Sequence, residues 1–414
     1  MNSGVNIVGV GMTHFTVHLD KTYHQLCAMA IDEALENAGI NKAQLESVFF
    51  ANSAWGIFED QHTIRGQCAL RPYGLLGVPI INVENACSSA STALYTANMA
   101  IKSGEFDVAL VVGVEKLASM DKQKSIEAFT SGFDRTCLQE TFDLYDSLSA
   151  SFNIPMPAGD DKGKSKAMET YGVMSRWHMS RFGTTQEQLA KVVVKNRQNG
   201  ALNPKAHWQT PVSLEEVMND RLISYPITRP MCAPIGDGAA AAVVVSDRFL
   251  AKMDAAKPIK IRAMAHTSGK AKKTFEEEPD IAERLSKIAY EKAGLGPKDI
   301  DIAEVHDASA YGEIHQVEAL GFVPEGEGGA FIESGKSALS GELPINTSGG
   351  LISRGHPVGA SGLAQIYELV TQLRGEAGAR QVKKDCKIAL AENGGGILTI
   401  EEASMTISIL EKAF

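Results

Sequence analysis

Two distant stretches of this chain follow one pattern. Residues 34–53 read ALENAGINKAQLESVFFANS, and residues 289–309 read AYEKAGLGPKDIDIAEVHDAS. Each ends a helix on Ala-Gly, makes a short polar turn and enters an apolar strand. The glycine suits the left-handed position after a helix, where a Cβ would clash. A second echo starts at Cys87 (CSSASTALYTANMAIKSGEFDVALVVGVE) and at His356 (HPVGASGLAQIYELVTQLRGEAGARQVKKDCKIALAENGGG). Both are a small-residue turn, an amphipathic helix and a buried-looking strand. Helices alternating with such strands predict α/β sheets covered on both faces. The repeat predicts two similar halves related by a pseudo-twofold axis. Cys87 and His356 then hold equivalent positions, each at the mouth of a helix, where they can meet if the halves pack face to face.

The boundaries follow from the repeat. Residues 1–118 with 231–250 form the first half, 119–230 an insertion and 255–414 the second half. The strand Ala239–Asp247 (AAAAVVVSD) is expected to return the chain to the first half. From Ser119 to about Lys166 the insertion shows little periodicity and is expected to be irregular, while METYGVMSRWHMSRFGTTQEQLAKVVVKNRQNGAL reads as helices. Its Phe129, Phe133, Phe142, Tyr145 and Phe152 suit a lid over a ligand, or a surface insertion with a small core of its own.

Composition narrows the function classes. A net charge of −10 over 414 residues argues against a nucleic-acid surface. Six cysteines without CxxC spacing suggest neither a zinc ribbon nor a disulfide framework. No apolar run is long enough to cross a bilayer, and the start, MNSGVNIVGVGMTHF, enters a strand without a basic segment and cleavage site. The expected setting is the cytoplasm, with no membrane and no nucleic-acid partner.

Cys87 sits in NVENACSSAS, where an apolar run gives way to a helix. A thiol there faces unpaired N–H groups and the positive end of the helix dipole, which predicts a lowered pKa and a place for an oxyanion. Ser88, Ser89 and Ala90 leave room for a substrate. His356, in the glycine-flanked turn GHPVG, is the candidate base. His306, in EVHD at the end of an expected strand, is placed where α/β sheets bind ligands and can donate to an enolate oxygen.

With these residues in view, NACSSAS, DGAAAAVVVS, HDAS and above all NTSGGLISRGHPVGASGLAQ resemble the thiolase superfamily, in particular the subgroup linked to sterol carrier protein. The resemblance runs from VNIVGVGMTHF to the last strand. It implies a five-layer αβαβα fold with an inserted lid and a homodimer or dimer of dimers. It also implies covalent acyl transfer with acyl-CoA and CoA. Cys87 would be acylated, His356 would take its proton, and His306 would form one oxyanion site. The N–H groups of Cys87 and of a glycine in Gly394–Gly396, with Gly395 and Gly396 as the candidates, would form the other. Coenzyme A would be a substrate, with no metal or redox cofactor. Members of this subgroup often pair with a small zinc-ribbon/OB-fold protein.

The chain departs from that pattern in one respect. A second acid/base cysteine, expected after His-Asp or at a Cys-x-Gly near the C-terminus, is missing. Ala308 follows His306-Asp307, and Glu392 stands about where Cys-x-Gly would begin. Cys386 lies a few residues upstream and reads as structural. Glu392 is the first candidate for the missing role, because a carboxyl in an apolar site is pushed toward neutrality; Ser309 and Tyr311 follow. The leading expectation is a thiolase acting on a 3-oxoacyl-CoA. Alternatives are a thiolase-like aldolase without an acyl-enzyme and a non-catalytic scaffold subunit. The aromatic lid and the altered acid/base position favour an aromatic or branched, carboxylated substrate such as benzoylsuccinyl-CoA, with Arg135 placed to meet a carboxylate.

Overall fold

Strands that are buried on both faces need apolar side chains in both directions, and several strands here meet that condition. Val108–Lys116 (VALVVGVEK) and Asp237–Ser246 (DGAAAAVVVS) are buried along nearly their whole length. The computed structural model describes residues 4–157, 166–253 and 257–414. Residues 1–3, 158–165 and 254–256, which fall at the edges or inside the expected segments, lie outside the described residues.

In chain order the strands are β1 Val5–Met12, β2 Ser47–Ala51, β3 Ile80–Val83, β4 Val108–Lys116, β5 Leu222–Ser224, β6 Ile227–Thr228, β7 Asp237–Ser246, β8 Ile259–Ser268, β9 Ile302–Glu304, β10 Ile388–Leu398 and β11 Glu401–Lys412. The longer helices are α1 Tyr23–Ala38, α2 Ser89–Lys102, α3 Lys122–Thr130, α4 Leu138–Ser151, α5 Lys166–Phe182, α6 Gln186–Ala201, α7 Ile281–Ala293, α8 Ala310–Ala319 and α9 Ser361–Arg374. Apart from the β5–β6 hairpin, the strands run in the order β3-β2-β4-β7-β1-β8-β11-β10-β9. The first five belong to one half and the last four to the other. They are joined only where Asn6 and Ile7 of β1 pair with Lys260 and Ile259 of β8.

Five layers follow from how the faces are covered. The central core joins α2 and α9 to both sheet halves, with Ala90, Ala93 and Ala97 on one helix and Leu363, Ala364 and Leu369 on the other. The outer face of the first half packs on α1 through Leu26, Ile31 and Val243. The outer face of the second half packs on α6, α7 and α8 through Val193, Leu285, Ile314 and Ile407. A helix sandwiched between two sheets has no solvent face, so α9 is buried almost all round.

The repeat is realised in detail. α1 ends on Gly39 at φ 68° and α7 on Gly294 at φ 66°, both left-handed. Each then makes a 3-10 turn, at Lys42–Gln44 and Pro297–Asp299, and enters β2 or β9. β7 returns to the first half as expected, lying between β1 and β4. The expectation of an irregular stretch from Ser119 to Lys166 is corrected: α3 and α4 occupy much of it. Their apolar faces are short and interrupted by Ser, Thr and Asp, which hides the period in the sequence. α4 docks on the second half, with Tyr145 and Val173 packed on Ile400 and the Tyr145 hydroxyl bonded to the Thr399 carbonyl.

One arginine ties the halves together. From the end of α9, Arg374 donates through Nη2 to the Val8 carbonyl at 2.8 Å, through Nη1 to Asn37 Oδ1 at 2.7 Å and through Nε to the Lys257 carbonyl at 2.9 Å. Arg374→Ala leaves the buried Val8 carbonyl unpaired and cuts the links to Asn37 and Lys257. It is expected to destabilise the fold by about 1–3 kcal/mol, read as a lower urea midpoint.

Candidate active site

Cys87 lies in a 3-10 turn, Ala86–Ser88, that feeds directly into α2. Ala86 takes a left-handed φ of 48°, a strained setting for a residue with a Cβ, and this turns the thiol toward the second half. Gly395 of β10 backs against the turn. A Cβ there would lie 2.5 Å from the Ser88 nitrogen and 2.9 Å from the Cys87 nitrogen, so only glycine lets β10 come this close. His356 enters from the loop between Arg354 and α9, and His306 from the loop after β9.

The three side chains meet. His356 Nε2 lies 3.3 Å from Cys87 Sγ, and the two imidazole rings are 5.2 Å apart and nearly perpendicular. One ligating atom from each of Cys87, His306 and His356 falls within 4.8 Å of the others. Hydrogen bonding sets the tautomers. Ser361 Oγ donates to the Pro357 carbonyl at 3.0 Å, so at 2.7 Å it accepts from His356 Nδ1. That leaves the Nε2 lone pair facing the thiol, as a base requires. The Asn393 amide donates to His306 Nδ1 at 2.9 Å, which puts the His306 proton on Nε2 as a donor. The Asn393 Oδ1 accepts from Ser91 at the start of α2, 2.8 Å away, linking the His306 loop to the cysteine helix.

Buried carboxylates hold the loops. Glu115, at the end of β4, accepts from Asn52 Nδ2 at 2.8 Å, from Ser53 N at 2.9 Å and from Gly359 N at 3.1 Å. It therefore pins the β2 end and the GHPVG turn together. In the other half Glu304 binds buried Arg354 at 3.0 Å and Ser348 Oγ at 2.6 Å. Reasoning from sequence misses Ser361, Asn393 and Glu115. Glu115 leaves a usable trace, a charged residue closing an apolar strand; Ser361 and Asn393 are legible only once the histidine rings are placed.

The profile described as "Thiolase, N-terminal domain" matches residues 5–225, and "Thiolase C-terminal domain-like" matches residues 263–411. An acetyl-CoA acetyltransferase of Methanothermobacter thermautotrophicus is 36% identical over 397 residues, covering 95% of this chain and 96% of the relative. Sterol carrier protein 2 of Bos taurus is 36% identical over 95% of this chain and 70% of its own length. The benzoylsuccinyl-CoA thiolase subunit BbsB of Thauera aromatica is 32% identical, covering 95% and 94%. A solved structure titled "Ltp2-ChsH2(DUF35) aldolase" superposes with a TM-score of 0.75 at 24% identity, over 99% of this chain and 98% of that one, a likeness of fold.

The chain belongs to the thiolase family. It is a thiolase-type acyltransferase for acyl-CoA. The electrostatics of this thiolase correct one expectation. Burial pushes the Cys87 thiol up to about 12, with Glu115 and Glu402 adding to the shift; the N–H groups of Gly396 and of Cys87 itself oppose it without prevailing. The resting sulfur is thus a neutral thiol, not a dipole-stabilised thiolate. Burial likewise holds both imidazoles neutral. His306 falls to about 3, with Arg354 contributing, and His356 falls well below its ordinary value, with His306 and Arg354 contributing.

The remaining expected residues are placed as follows. The Gly396 N–H faces the Cys87 sulfur. Glu392 is fully buried; its Oε2 accepts from the His306 backbone N–H at 2.9 Å, and its carboxyl stands outside the Cys87–His306–His356 cluster. Burial raises it well above the ordinary carboxyl range, with Glu402 as its foremost charged neighbour. Arg135 is exposed in the turn between α3 and α4. Cys232 pairs with Ser309 through backbone, but its thiol donates to the Thr228 carbonyl at 3.7 Å and does not join the cluster.

Ser361→Ala frees the His356 ring to rotate and change tautomer. Acylation of Cys87 is expected to slow roughly 10²-fold, the low end of what a positioned base contributes, in a protein that melts normally. Because the folded histidines titrate far below 6.5, the base is already neutral there. Acylation rates measured from pH 8 down to pH 6 are expected to stay within about twofold; a limb near 6.5 would show that His356 is not held neutral.

Proposed function

We propose that this protein cleaves a 3-oxoacyl-CoA with free CoA, or runs the reverse Claisen condensation, through an acyl-Cys87 intermediate. The observation that carries the reading is the 3.3 Å contact between Cys87 Sγ and the basic nitrogen of His356. His356 takes the thiol proton as the sulfur attacks the 3-oxo carbon. The oxyanion formed there is received by the N–H groups of Cys87 and Gly396, with Gly395 allowing their close approach. As the bond between the α- and 3-carbons breaks, the electron pair moves into a thioester enolate, whose oxygen the His306 Nε2–H stabilises. CoA then takes the acyl group from Cys87. A neutral histidine is the better partner for both steps, as base in one and uncharged donor in the other.

The segment 119–230 serves in this reading as a lid. Phe133 bridges to Ile397 just beyond the oxyanion glycines, and Phe129 packs beside Cys87. Those aromatic walls favour an aromatic or branched acyl chain, and benzoylsuccinyl-CoA fits that class. The exposed position of Arg135 suits a carboxylate at the lid's rim. The β3 edge, which presents a half-exposed Ile81 and has β2 as its neighbour, suits pairing with a second copy. A small zinc-ribbon/OB-fold partner is a further assembly this reading allows. The setting proposed for the enzyme is the cytoplasm.

A second reading, a thiolase-like aldolase that forms no acyl-enzyme, is favoured by the single thiol of the cluster. Intact-protein mass after brief exposure to a panel of acyl-CoAs separates the two. An acyl-sized gain that Cys87→Ala abolishes is expected. An enzyme that cleaves its substrate with Cys87→Ala at near-normal rate would be an aldolase instead, and one that neither labels nor cleaves would be a scaffold.

A further inference from the structure

Breaking a carbon–carbon bond next to a thioester leaves a carbanion equivalent that needs a proton. His356 is committed to Cys87, and His306 Nε2–H to the enolate oxygen. Among the described residues no second thiol stands in the cluster. The proton must come from another group.

Just behind His306 lies a pair of carboxyls. Glu392 and Gly394 project to the same face of β10, two residues apart. On the paired strand β11, Glu402 leans into the space that Gly394 leaves. A Cβ on Gly394 would lie 2.9 Å from Glu402 Cγ and 3.3 Å from its Cδ and Oε1. Glu392 is fully buried and Glu402 5% exposed. Glu392 Oε2 is taken by the His306 N–H, but Glu392 Oε1 and Glu402 Oε2 are buried without a hydrogen-bond partner. Two carboxyls so buried, with the charge of one felt by the other, cannot both ionise cheaply, which favours the protonated form of each. The foremost charged neighbours of Glu402 are Asp280 and His315, with His315 Nε2 3.2 Å from Asp280.

We propose that Glu402, kept protonated beside Glu392, is the acid/base that serves the substrate's α-carbon in place of a second thiol. This rests on the acyltransferase reading above. In cleavage, the protonated Glu402 gives its proton to the α-carbon as the carbon–carbon bond electrons arrive there, which frees the shortened acyl-CoA and leaves a carboxylate. The incoming CoA thiol gives its proton to that carboxylate while its sulfur attacks the Cys87 thioester. The Cys87–sulfur acyl bond breaks, the Cys87 thiolate takes back the proton held on His356, and the enzyme returns to its starting state. Burial, then Asp280, raises Glu402 to about 7, against His315 and the Glu402 backbone. Burial opposes the charge on His315, but Asp280 wins and raises it to about 9.

The test uses Glu402→Gln, which keeps shape and removes the proton. Two readouts are compared with the wild type. One is acylation of Cys87 by 4-nitrophenyl acetate, read by mass, a step that protonates neither an α-carbon nor a CoA thiolate; the other is exchange of α-hydrogens of a saturated acyl-CoA in D2O. Exchange is expected to fall at least about a hundredfold while acylation slows less than about threefold. The wild-type exchange rate is expected to change across about pH 7, and that limb should vanish in the variant. The groups facing Glu402 in that range are Glu392, Asp280, His315, Tyr171, Tyr311 and its neighbour Glu401. Exchange at the wild-type rate in the variant overturns the proposal. If Glu402→Gln fails to fold, Gly394→Ala, which displaces the Glu402 side chain without changing charge, replaces it with the same two outcomes. A wild type that neither labels nor exchanges would sink the acyltransferase reading itself.

Discussion

The crossing of two buried helices sets everything else. At the start of α9, Gly362 comes so close to α2 that a Cβ would lie 2.7 Å from the Ser91 nitrogen. That contact brings the two helix mouths together, and with them the nucleophile of one half and the base of the other. A bulkier residue at 362 would push the mouths apart by more than the 3.3 Å contact between Sγ and Nε2 tolerates. The sheets, the outer helices and the Glu115 clamp hold this crossing in place. Fold and chemistry therefore depend on the same few ångströms.

Burial is what gives the site its character. In a water-filled cleft the helix mouth would have pulled the thiol pKa down; among apolar side chains the cost of charging any group dominates. The same cost keeps the thiol protonated, both imidazoles neutral and the carboxyls behind them partly protonated. Charge appears only during reaction, where N–H groups already point at it. The site is thus organised for the transition state and carries little field of its own beforehand.

Much of this could be read from the sequence. The duplicated Ala-Gly turns and the paired Cys87 and His356 segments announce two halves and an equivalent pair of loops, because helix caps and alternating elements leave short, local signatures. The specific blocks around Cys87 and His356 then point to the family. The helices between Ser119 and Ser151 escape notice because their apolar faces are broken by polar residues and stabilised by docking on the rest of the fold. The thiol's charge state escapes too, since burial is a property of the assembled core. Glu402 lies ten residues beyond Glu392, opposite Ile397 on the return strand, and only the space that Gly394 leaves lets its side chain lean toward that part of β10.

The position of β7 has a consequence for how the chain is made. It is an interior strand of the first half, set between β4 and β1, yet it follows the whole insertion in sequence. On the ribosome, β1 and β4 emerge with an empty slot between them, and the strand that fills it follows later. At about 5–20 residues per second the wait is on the order of ten seconds. During that time two hydrogen-bonding edges rich in Val stand open. The α3–α6 helices are synthesised within this interval, before their docking surface on the second half exists. The nascent chain is therefore most exposed to wrong strand pairing midway through synthesis, and a chaperone that covers bare strand edges would have its largest effect there.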